Sequence, residues 1–338
     1  MEAENNRRNP YIFTGEDRQG VPRDATHVII DGSVKVILDS EETFLGHPTL
    51  LDVVCRDGVI KVAQAGFLDC PSLTRVKMPS VEGIGRSAFK DCKALMYIEC
   101  GKLEFIDVGA FGHCKSLRSL NLPSAKTVQM CAFSNCEALA NVKFGKELES
   151  IGFRAFNDCT SLERITIPLK DGMVSSVAFS GCENLKHVDL IEGALHETIA
   201  YLQLEEWRND VNVTIDLINE ILPNTPDGAD ESWGGGKGTI IQRWIRSVLR
   251  KIIHYKAEHQ HVLEEAAATL QVALPQDIVI KNVLPFLELP AYTFEVGDHE
   301  GLENDSEEEE EEEDDVDDYL ESDDSLESDG GDDRCAIQ

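Results

Sequence analysis

Cysteine is the residue of this 338-residue chain whose placement most invites a chemical role. Cys159 directly follows Asp158, and a thiol beside a carboxylate could serve as a nucleophile, a metal ligand or a redox switch. The chain contains ten cysteines in all. The role of any one of them therefore depends on the pattern that the others form.

Two further segments resemble ligand-binding motifs without completing them. GGGKGT at 234–239 looks like a phosphate-binding loop, but Gly238 stands where the Mg²⁺-binding Ser or Thr belongs and the first glycine is missing. His254, Glu258 and His261 share one face of a predicted helix and could hold a metal ion, yet the His-Glu-x-x-His order is absent. We therefore predict no catalytic residue, no cofactor and no metal site, and a chain that is not an enzyme.

A repeat of 22 or 23 residues accounts for six of the cysteines. Phenylalanine recurs at this spacing, a cysteine follows each phenylalanine by three residues, and a leucine follows by three more. An earlier copy has Phe44, His47 and Leu50 at the same offsets, which makes seven units in one register. Because a single unit cannot bury its apolar face, the units are predicted to stack, with the cysteines as packing residues. The column cysteines are Cys70, Cys92, Cys114, Cys136, Cys159 and Cys182.

The repeated pattern I-G-x-x-A-F-x-x-C-x-x-L-x-x-I-x-I-P, as it stands at 151–168, resembles the BspA-like type of leucine-rich repeat. The resemblance covers residues 44–190 and departs from the family pattern at His47, as suits a terminal unit. It implies a leucine-rich repeat solenoid in which each unit supplies one short β-strand followed by a turn or 3₁₀ segment.

The segments outside the repeats differ in periodicity and composition. Alternating residues in HVIIDGSVKVI predict a hairpin around Asp31-Gly32 that shields the first repeat. The long helix predicted over 239–273 is long enough to pair with the preceding helix, and the pair is predicted to cap the C-terminal end of the repeats, with partner binding or self-association as the alternatives. The predicted segments are an N-terminal cap (1–43), the repeats (44–190), a helix (191–223), a glycine-rich loop (224–238), a helical C-terminal extension (239–297) and a disordered acidic tail (298–338).

Charge and hydropathy exclude several classes of partner. The net charge is −32, and residues 303–333 hold 20 acidic residues with no Lys or Arg, which leaves −12 on the rest of the chain. Direct binding to nucleic acid is therefore not expected. The sequence has no signal-peptide pattern and no apolar run of membrane-spanning length, so the protein is predicted to be cytoplasmic or nuclear with reduced thiols.

The repeat strands are predicted to present a partner-binding surface. In L-x-x-L-x-L the leucine-type residues point inward and the residues between them line the concave surface. Four positive charges there, on an otherwise acidic chain, favour a protein partner with an acidic or mixed surface. Tyr97 is the one aromatic anchor, so we expect modest affinity, and solvated strand residues without a partner are the alternative. The predicted residues are Arg75, Lys77, Tyr97, Glu99, Asn141, Lys143, Arg164 and His187.

The acidic tail predicts a second kind of interaction. It is too charged and too poor in apolar residues to fold, and its runs of like charge suit basic partners such as histones, although solubilisation alone is an alternative. Repeats followed by a polyacidic tail are similar in architecture to the acidic leucine-rich nuclear phosphoproteins, whose repeat type differs. Ser306, followed by glutamates, is a candidate site for phosphorylation by an acidophilic kinase.

The C-terminal part of the chain contains two further motifs. Cys335-Ala336-Ile337-Gln338 resembles a C-a-a-X prenylation box, and its terminal glutamine favours a farnesyl group on Cys335. A single lipid beside an acidic segment implies only a transient or partner-assisted membrane pool. LPQDIVIKNVLPFL at 274–287 looks like the first helix of an F-box, without a second or third helix. The predicted function is an intracellular, non-enzymatic protein-interaction scaffold, with a chaperone of basic proteins and a ubiquitin-ligase substrate adaptor as alternatives.

Overall fold

The structure is a computed structural model that describes residues 10–15, 20–37, 43–191, 199, 202, 204–225 and 236–273. The chain divides into two compact units, Met1–Glu295 and Val296–Gln338, and every described residue belongs to the first. No helix within the described ranges combines the length and the apolar character that crossing a membrane requires.

The repeats form the coils of a solenoid, and six of these coils contain two strands, one of three or four residues and one of two. Residues of the longer strands are alternately buried and exposed, as their apolar and polar alternation requires. These long strands are β1 (Tyr11–Phe13), β2 (His27–Ile30), β4 (Asp52–Cys55), β6 (Arg75–Lys77), β8 (Tyr97–Glu99), β10 (Ser119–Leu122), β12 (Asn141–Phe144), β14 (Arg164–Ile167) and β15 (His187–Leu190). The two-residue strands are β3 (Val36–Ile37), β5 (Lys61–Val62), β7 (Gly83–Ile84), β9 (Phe105–Ile106), β11 (Thr127–Val128) and β13 (Ser150–Ile151).

Equivalent strands of successive coils pair in parallel and produce three sheets. The two-residue strands form one continuous sheet in the order β13-β11-β9-β7-β5-β3. The long strands form a five-stranded sheet, β1-β2-β4-β6-β8, and a four-stranded sheet, β10-β12-β14-β15. The predicted leucine-rich repeat solenoid is confirmed. The structure adds a second strand to six of the coils. These strands were not predicted because a strand with only one buried residue, such as Ile84, is too short to show alternation in the sequence.

A stack of phenylalanine rings runs through the interior of the solenoid. The seven rings of the repeat are all buried, and the ring centroids of neighbouring coils lie 4.7–5.6 Å apart. From Phe67 to Phe179 successive ring planes are within 12° of parallel. Burying one such side chain contributes about 1.5–3 kcal/mol, so the stack is a major source of stability.

The column cysteines link each coil to the one before it. All six thiols are buried, and each donates a hydrogen bond to the carbonyl oxygen of the phenylalanine one coil earlier, with S···O distances of 2.9–3.3 Å. Cysteine suits this position because it is a small apolar residue with a weak donor. The packing role predicted for Cys159 and the rest of the column is confirmed.

The turn that carries each phenylalanine requires a left-handed backbone just before the column cysteine. Asp, Asn, His and Gly adopt this conformation at lower cost than other residues, because they have short polar side chains or none. The residue types at this position therefore follow from the turn geometry. The residues are Asp69, Asp91, His113, Asn135 and Asp158, with φ of 53–63°, and Gly181, with φ of 72°.

The hairpin predicted around Asp31-Gly32 is wrong. β2 and β3, which flank this turn, lie in different sheets and pair in parallel with β4 and β5 of the next coil. A Cβ on Gly32 would lie 2.1 Å from the Asp57 carbonyl oxygen, so this turn is a corner stacked on the next coil. The Asp-Gly pair indicates only that the chain turns here, whereas the pairing of the two flanking strands is decided by their contacts with the next coil. The solenoid therefore begins before Phe44.

His47 occupies the cysteine column in the coil that contains Phe44, and it is fully buried. Its Nε2 donates a hydrogen bond to the Pro22 carbonyl oxygen over 2.9 Å, which is the kind of link that the thiols make elsewhere. Its Nδ1 has no hydrogen-bond partner in the part of the chain that the structure describes. Burial holds the pKa of His47 below its ordinary value because the charged imidazolium would lose its hydration.

We expect the N-terminal coils to lose stability in mild acid because of His47. The folded-state pKa is lowered, so the unfolded state binds the proton more tightly. The stabilisation is complete above the unfolded pKa of about 6.5 and is lost as the pH falls through the folded pKa. Hydrogen exchange of the β2 amides at neutral and at mildly acidic pH measures this loss. The His47→Cys variant should remove most of the pH dependence, and an unchanged dependence in that variant would contradict the assignment.

Two helices cover the C-terminal end of the solenoid. α1 (Glu205–Ile221) contacts the last strand, where the Val188 amide donates to Asn219 Oδ1 over 3.0 Å. α2 (Lys237–Ala273) runs antiparallel to α1, because Trp244 bonds to Thr214 near one end and Lys251 to Asp210 further along. α1 lies within the segment predicted as a helix (191–223), whereas α2 begins at Lys237, two residues before the end of the predicted glycine-rich loop (224–238).

The first turn of α2 docks on the last coil through Lys237 and Gly238. Lys237 is 3% exposed, and its Nζ donates to the carbonyl oxygens of Cys182 (2.6 Å) and Glu183 (2.7 Å). A Cβ on Gly238 would lie 2.2 Å from the Ser176 carbonyl oxygen, so only glycine fits against this backbone. The lysine and glycine of the GGGKGT segment thus close the end of the solenoid.

Candidate functional site

The outward residues of the long strands from β4 to β15 form one surface, which we call the long-strand face. The inward residues of the same strands, such as Val76 and Ile165, are fully buried. Parallel register places equivalent outward residues side by side, for example Arg75 beside Tyr97. All eight residues of the predicted partner-binding surface lie on this face. The long-strand face consists of Asp52, Val54, Arg75, Lys77, Tyr97, Glu99, Ser119, Asn121, Asn141, Lys143, Arg164, Thr166, His187 and Asp189.

Ion pairs between neighbouring strands balance most of the charge on the long-strand face. Such exposed pairs are each worth about 0–1 kcal/mol, so a bound partner can exchange them at little cost. The sequence places four positive charges here, and among the described residues only Lys143 of these four has no acidic partner. The pairs are Arg75–Asp52 (3.1 Å), Lys77–Glu99 (3.0 Å) and Arg164–Asp189 (2.7 Å).

The middle of the long-strand face carries hydrogen-bonding groups that are not used within the fold. Tyr97, which is the one Phe, Tyr or Trp residue of this face, is 51% exposed. Within the described ranges, the side chains of this central patch make no hydrogen bond or ion pair. They offer a phenol, a hydroxyl, two amides and an ammonium group to a partner. The central patch consists of Tyr97, Ser119, Asn121, Asn141 and Lys143.

The central patch spans an interruption in the strand ladder. β8 and β10 belong to different sheets, although the two-residue strands of the same coils, β9 and β11, remain paired. The inward residues at this break, Ile98 and Leu120, are 8% and 4% exposed, whereas Val76 and Ile165 are 0% exposed.

Most of the described cysteines are unsuited to chemistry at neutral pH. Burial raises the pKa of Cys55 to about 12, and it raises the pKa values of Cys92, Cys114 and Cys159 as well. A thiol must ionise to act as a nucleophile or metal ligand, and these thiols stay protonated. Cys70 differs in that its hydrogen bond with Cys92 holds its pKa below the ordinary value, although its thiol is fully buried. None of the nine cysteines within the described ranges forms a disulfide.

Other candidate sites in the described residues lack a reactive arrangement. These residues contain no group of three His, Cys, Asp or Glu side chains placed to hold a metal ion, His254, Glu258 and His261 included. A shallow depression of about 560 Å³ lies at the corner that follows β4. Its Arg56 guanidinium is bound to Asp31 at 2.8 Å, which leaves neither group free for acid–base work.

The family assignment comes from comparison of the repeats with known proteins. The profile described as "BspA type Leucine rich repeat region" matches in six copies, over residues 24–138 and 104–205, which is more than half of the chain. The chain belongs to the BspA-type leucine-rich repeat family. The match begins at residue 24, in agreement with a solenoid that starts before Phe44. No protein with curated annotation shows significant sequence similarity to the chain.

Several solved structures are similar to this BspA-type protein. A leucine-rich repeat protein of T. pallidum (TpLRR) is 33% identical over 41% of this chain and 69% of its own, with a TM-score of 0.38. The pneumococcal vaccine antigen PcpA is 18% identical over 53% of this chain and 51% of its own, with a TM-score of 0.35. A leucine-rich cell surface protein from Faecalibacterium prausnitzii is 17% identical over 51% of this chain and 80% of its own, with a TM-score of 0.20.

Several predicted sites of this BspA-type protein lie outside the described residues. They are the prenylation candidate Cys335, the phosphorylation candidate Ser306, the F-box-like segment 274–287 and the acidic tail 298–338. Each stays a prediction. The ion pairs of the long-strand face were missed because they join residues of different coils, and the repeat of 22 or 23 residues was the signal that could have paired them.

Proposed function

We propose that this BspA-type leucine-rich repeat protein is a non-enzymatic interaction scaffold that binds a protein partner through the long-strand face. The central patch is the observation that carries the proposal. It concentrates unused hydrogen-bonding groups and a half-exposed tyrosine, Tyr97, on rigid strands. Tyrosine anchors and adaptable polar groups are the usual components of a protein-binding surface.

The charges of the long-strand face define the partner's chemistry. Lys143 lies among uncharged groups, while the ion-paired residues lie on the strands to either side. A partner with one acidic group opposite Lys143 and hydrogen-bonding groups around it complements this arrangement. We therefore propose a partner of mixed surface instead of a strongly acidic one.

The free thiols support the proposal that the protein acts in a reducing compartment. Nine cysteines without a disulfide in the described ranges suit the cytoplasm or the nucleus. The proposed scaffold would therefore meet its partner inside the cell. If Cys335 is farnesylated, a transient membrane-associated fraction would accompany this pool.

Removing the anchor and the charge of the central patch should strongly weaken partner binding. We expect Tyr97→Ala combined with Lys143→Glu to lower partner retention by about tenfold or more, because both substitutions act at the centre of the proposed interface. Quantitative mass spectrometry of proteins that co-purify with the full chain measures the effect.

A double variant on the sheet of two-residue strands provides the control. Phe105→Ala combined with Lys61→Glu changes an equally exposed aromatic residue and the same charge on the two-residue strands. It should retain every partner, and both variants should keep the circular dichroism of the wild type. If the central-patch variant also retains every partner, the proposal is wrong.

The acidic tail supports a second candidate function, a chaperone of basic proteins. Twenty acidic residues over 303–333 would attract basic partners without help from the long-strand face. Partners held by the tail should be lost when 303–333 are deleted and should be unaffected by the central-patch substitutions. The two binding modes are thus separable in one set of purifications.

A further inference from the structure

Helix α1 has a line of exposed aliphatic residues that plays no part in covering the solenoid. Val213, Leu217 and Ile221 are spaced four residues apart and are 65%, 42% and 40% exposed. Residues four apart lie on one face of a helix, so the three side chains form a continuous stripe about 12 Å long. The packed side of α1 is a different one, since its buried residues are Val211, Thr214 and Ile218.

Apart from Arg208, the charged residues of α1 itself are acidic. Glu205, Glu206, Asp216 and Glu220 are all exposed, and α1 contains no lysine. Its one arginine, Arg208, donates a hydrogen bond to the Leu202 carbonyl oxygen and is half-buried. An apolar stripe beside acidic side chains is complementary to a surface that carries both apolar and basic residues.

We propose that the aliphatic stripe of α1 docks an amphipathic basic helix of a partner protein. An amphipathic helix presents aliphatic residues at the same three- and four-residue spacing, so two such stripes can pack along their length. Lysine or arginine residues at the edges of its apolar face would meet the acidic side chains of α1. This surface is separate from the long-strand face and does not depend on the function proposed for that face.

The charges of α1 argue against a second copy of the chain as the occupant. Packing two α1 helices together would bring their acidic residues close to one another, and like charges in an interface oppose association.

The chain that follows α2 also begins far from the stripe. α2 continues for 22 residues from Lys251, which pairs with α1, to its end at Ala273, a distance of about 33 Å.

A synthetic peptide tests the proposal on the full chain. The probe is a helical peptide with leucines on one face and lysines on the other, and its control is a shuffled peptide of identical composition. The acidic tail attracts both peptides alike through charge, so the difference between them isolates the apolar contact. We expect the amphipathic peptide to bind about tenfold more tightly than the shuffled one, as measured by fluorescence anisotropy.

Two matched substitutions assign the contact to α1. Leu217→Lys should remove the preference for the amphipathic peptide, whereas Ile253→Lys on α2 adds the same charge at a similarly exposed aliphatic residue and should keep it. Tyr97→Ala should also keep it, which separates this surface from the long-strand face. No preference in the wild type, or an equal preference after Leu217→Lys, overturns the proposal.

Two other results would show that something other than a partner helix covers the stripe. Wild-type chain that sediments as a dimer, with Leu217→Lys as a monomer, would assign the stripe to a second copy. A lower melting temperature of monomeric Leu217→Lys, with Ile253→Lys unchanged, would assign it to another segment of the same chain, such as 274–287. Either result overturns docking of a partner helix.

Discussion

Replacing Phe111 by alanine should lower the free energy of unfolding by about 3–5 kcal/mol. Phe111 is 1% exposed, and its ring stacks on Phe89 and Phe133 with centroids 5.2 Å away on both sides. The coils above and below are held in place by their own hydrogen bonds and cannot collapse into the space. The substitution therefore leaves a cavity in addition to the lost burial. Urea denaturation of the two proteins measures the difference.

An exposed phenylalanine in the preceding coil is the matched control for this prediction. Phe105 lies on β9 and is 54% exposed, so Phe105→Ala should change the stability by less than about 0.5 kcal/mol. Equal losses for the two variants would mean that the ring stack is not the main source of stability in the solenoid.

The Gly238→Ala substitution should destabilise the protein by about 1–3 kcal/mol. Helix propensity alone predicts the opposite sign, because alanine is favoured over glycine by about 1 kcal/mol within a helix. The added Cβ, however, would lie 2.2 Å from the Ser176 carbonyl oxygen and 2.7 Å from that of Ser175. These are backbone atoms that cannot rotate away, so the first turn of α2 must move off the last coil. Urea denaturation, with hydrogen exchange of α2, measures both consequences.

Gly101 is the control for the close contact at Gly238. A Cβ at Gly101 would meet nothing within 4 Å, so Gly101→Ala should be nearly neutral. An increase in stability for Gly238→Ala would show that helix propensity decides and that α2 does not close the solenoid through this contact.

Much of the fold could be predicted because the same residue types recur at equivalent positions of successive repeats. Phe156, Cys159 and Leu162 have counterparts one unit away in both directions, and a column of identical residues has one simple packing solution. The two-residue strands and the corner at Asp31-Gly32 could not be predicted in this way, because pairing with the next coil leaves no local pattern. The left-handed residue before each column cysteine was not predicted, although its type, always Asp, Asn, His or Gly, is a signal in the sequence.

The candidate site was harder to predict than the fold. Strand alternation correctly placed Tyr97 and Lys143 on an exposed surface, because the period of two depends only on local sequence. The charge that this surface offers to a partner could not be predicted in the same way, since it depends on which side chains form ion pairs between coils. Arg164 reaches Asp189 on the next strand although 25 residues separate them. The closing contact of Lys237 was hidden for the same reason.

Photo-crosslinking from position 97 tests the proposed binding face most directly. A photoreactive phenylalanine analogue would replace Tyr97 in one full-length protein and Phe105 in another, both expressed in the native cell. The long-strand face predicts a discrete covalent adduct from position 97 and none from position 105. Adducts from position 105 with none from position 97 would place the partner on the two-residue strands and contradict the account.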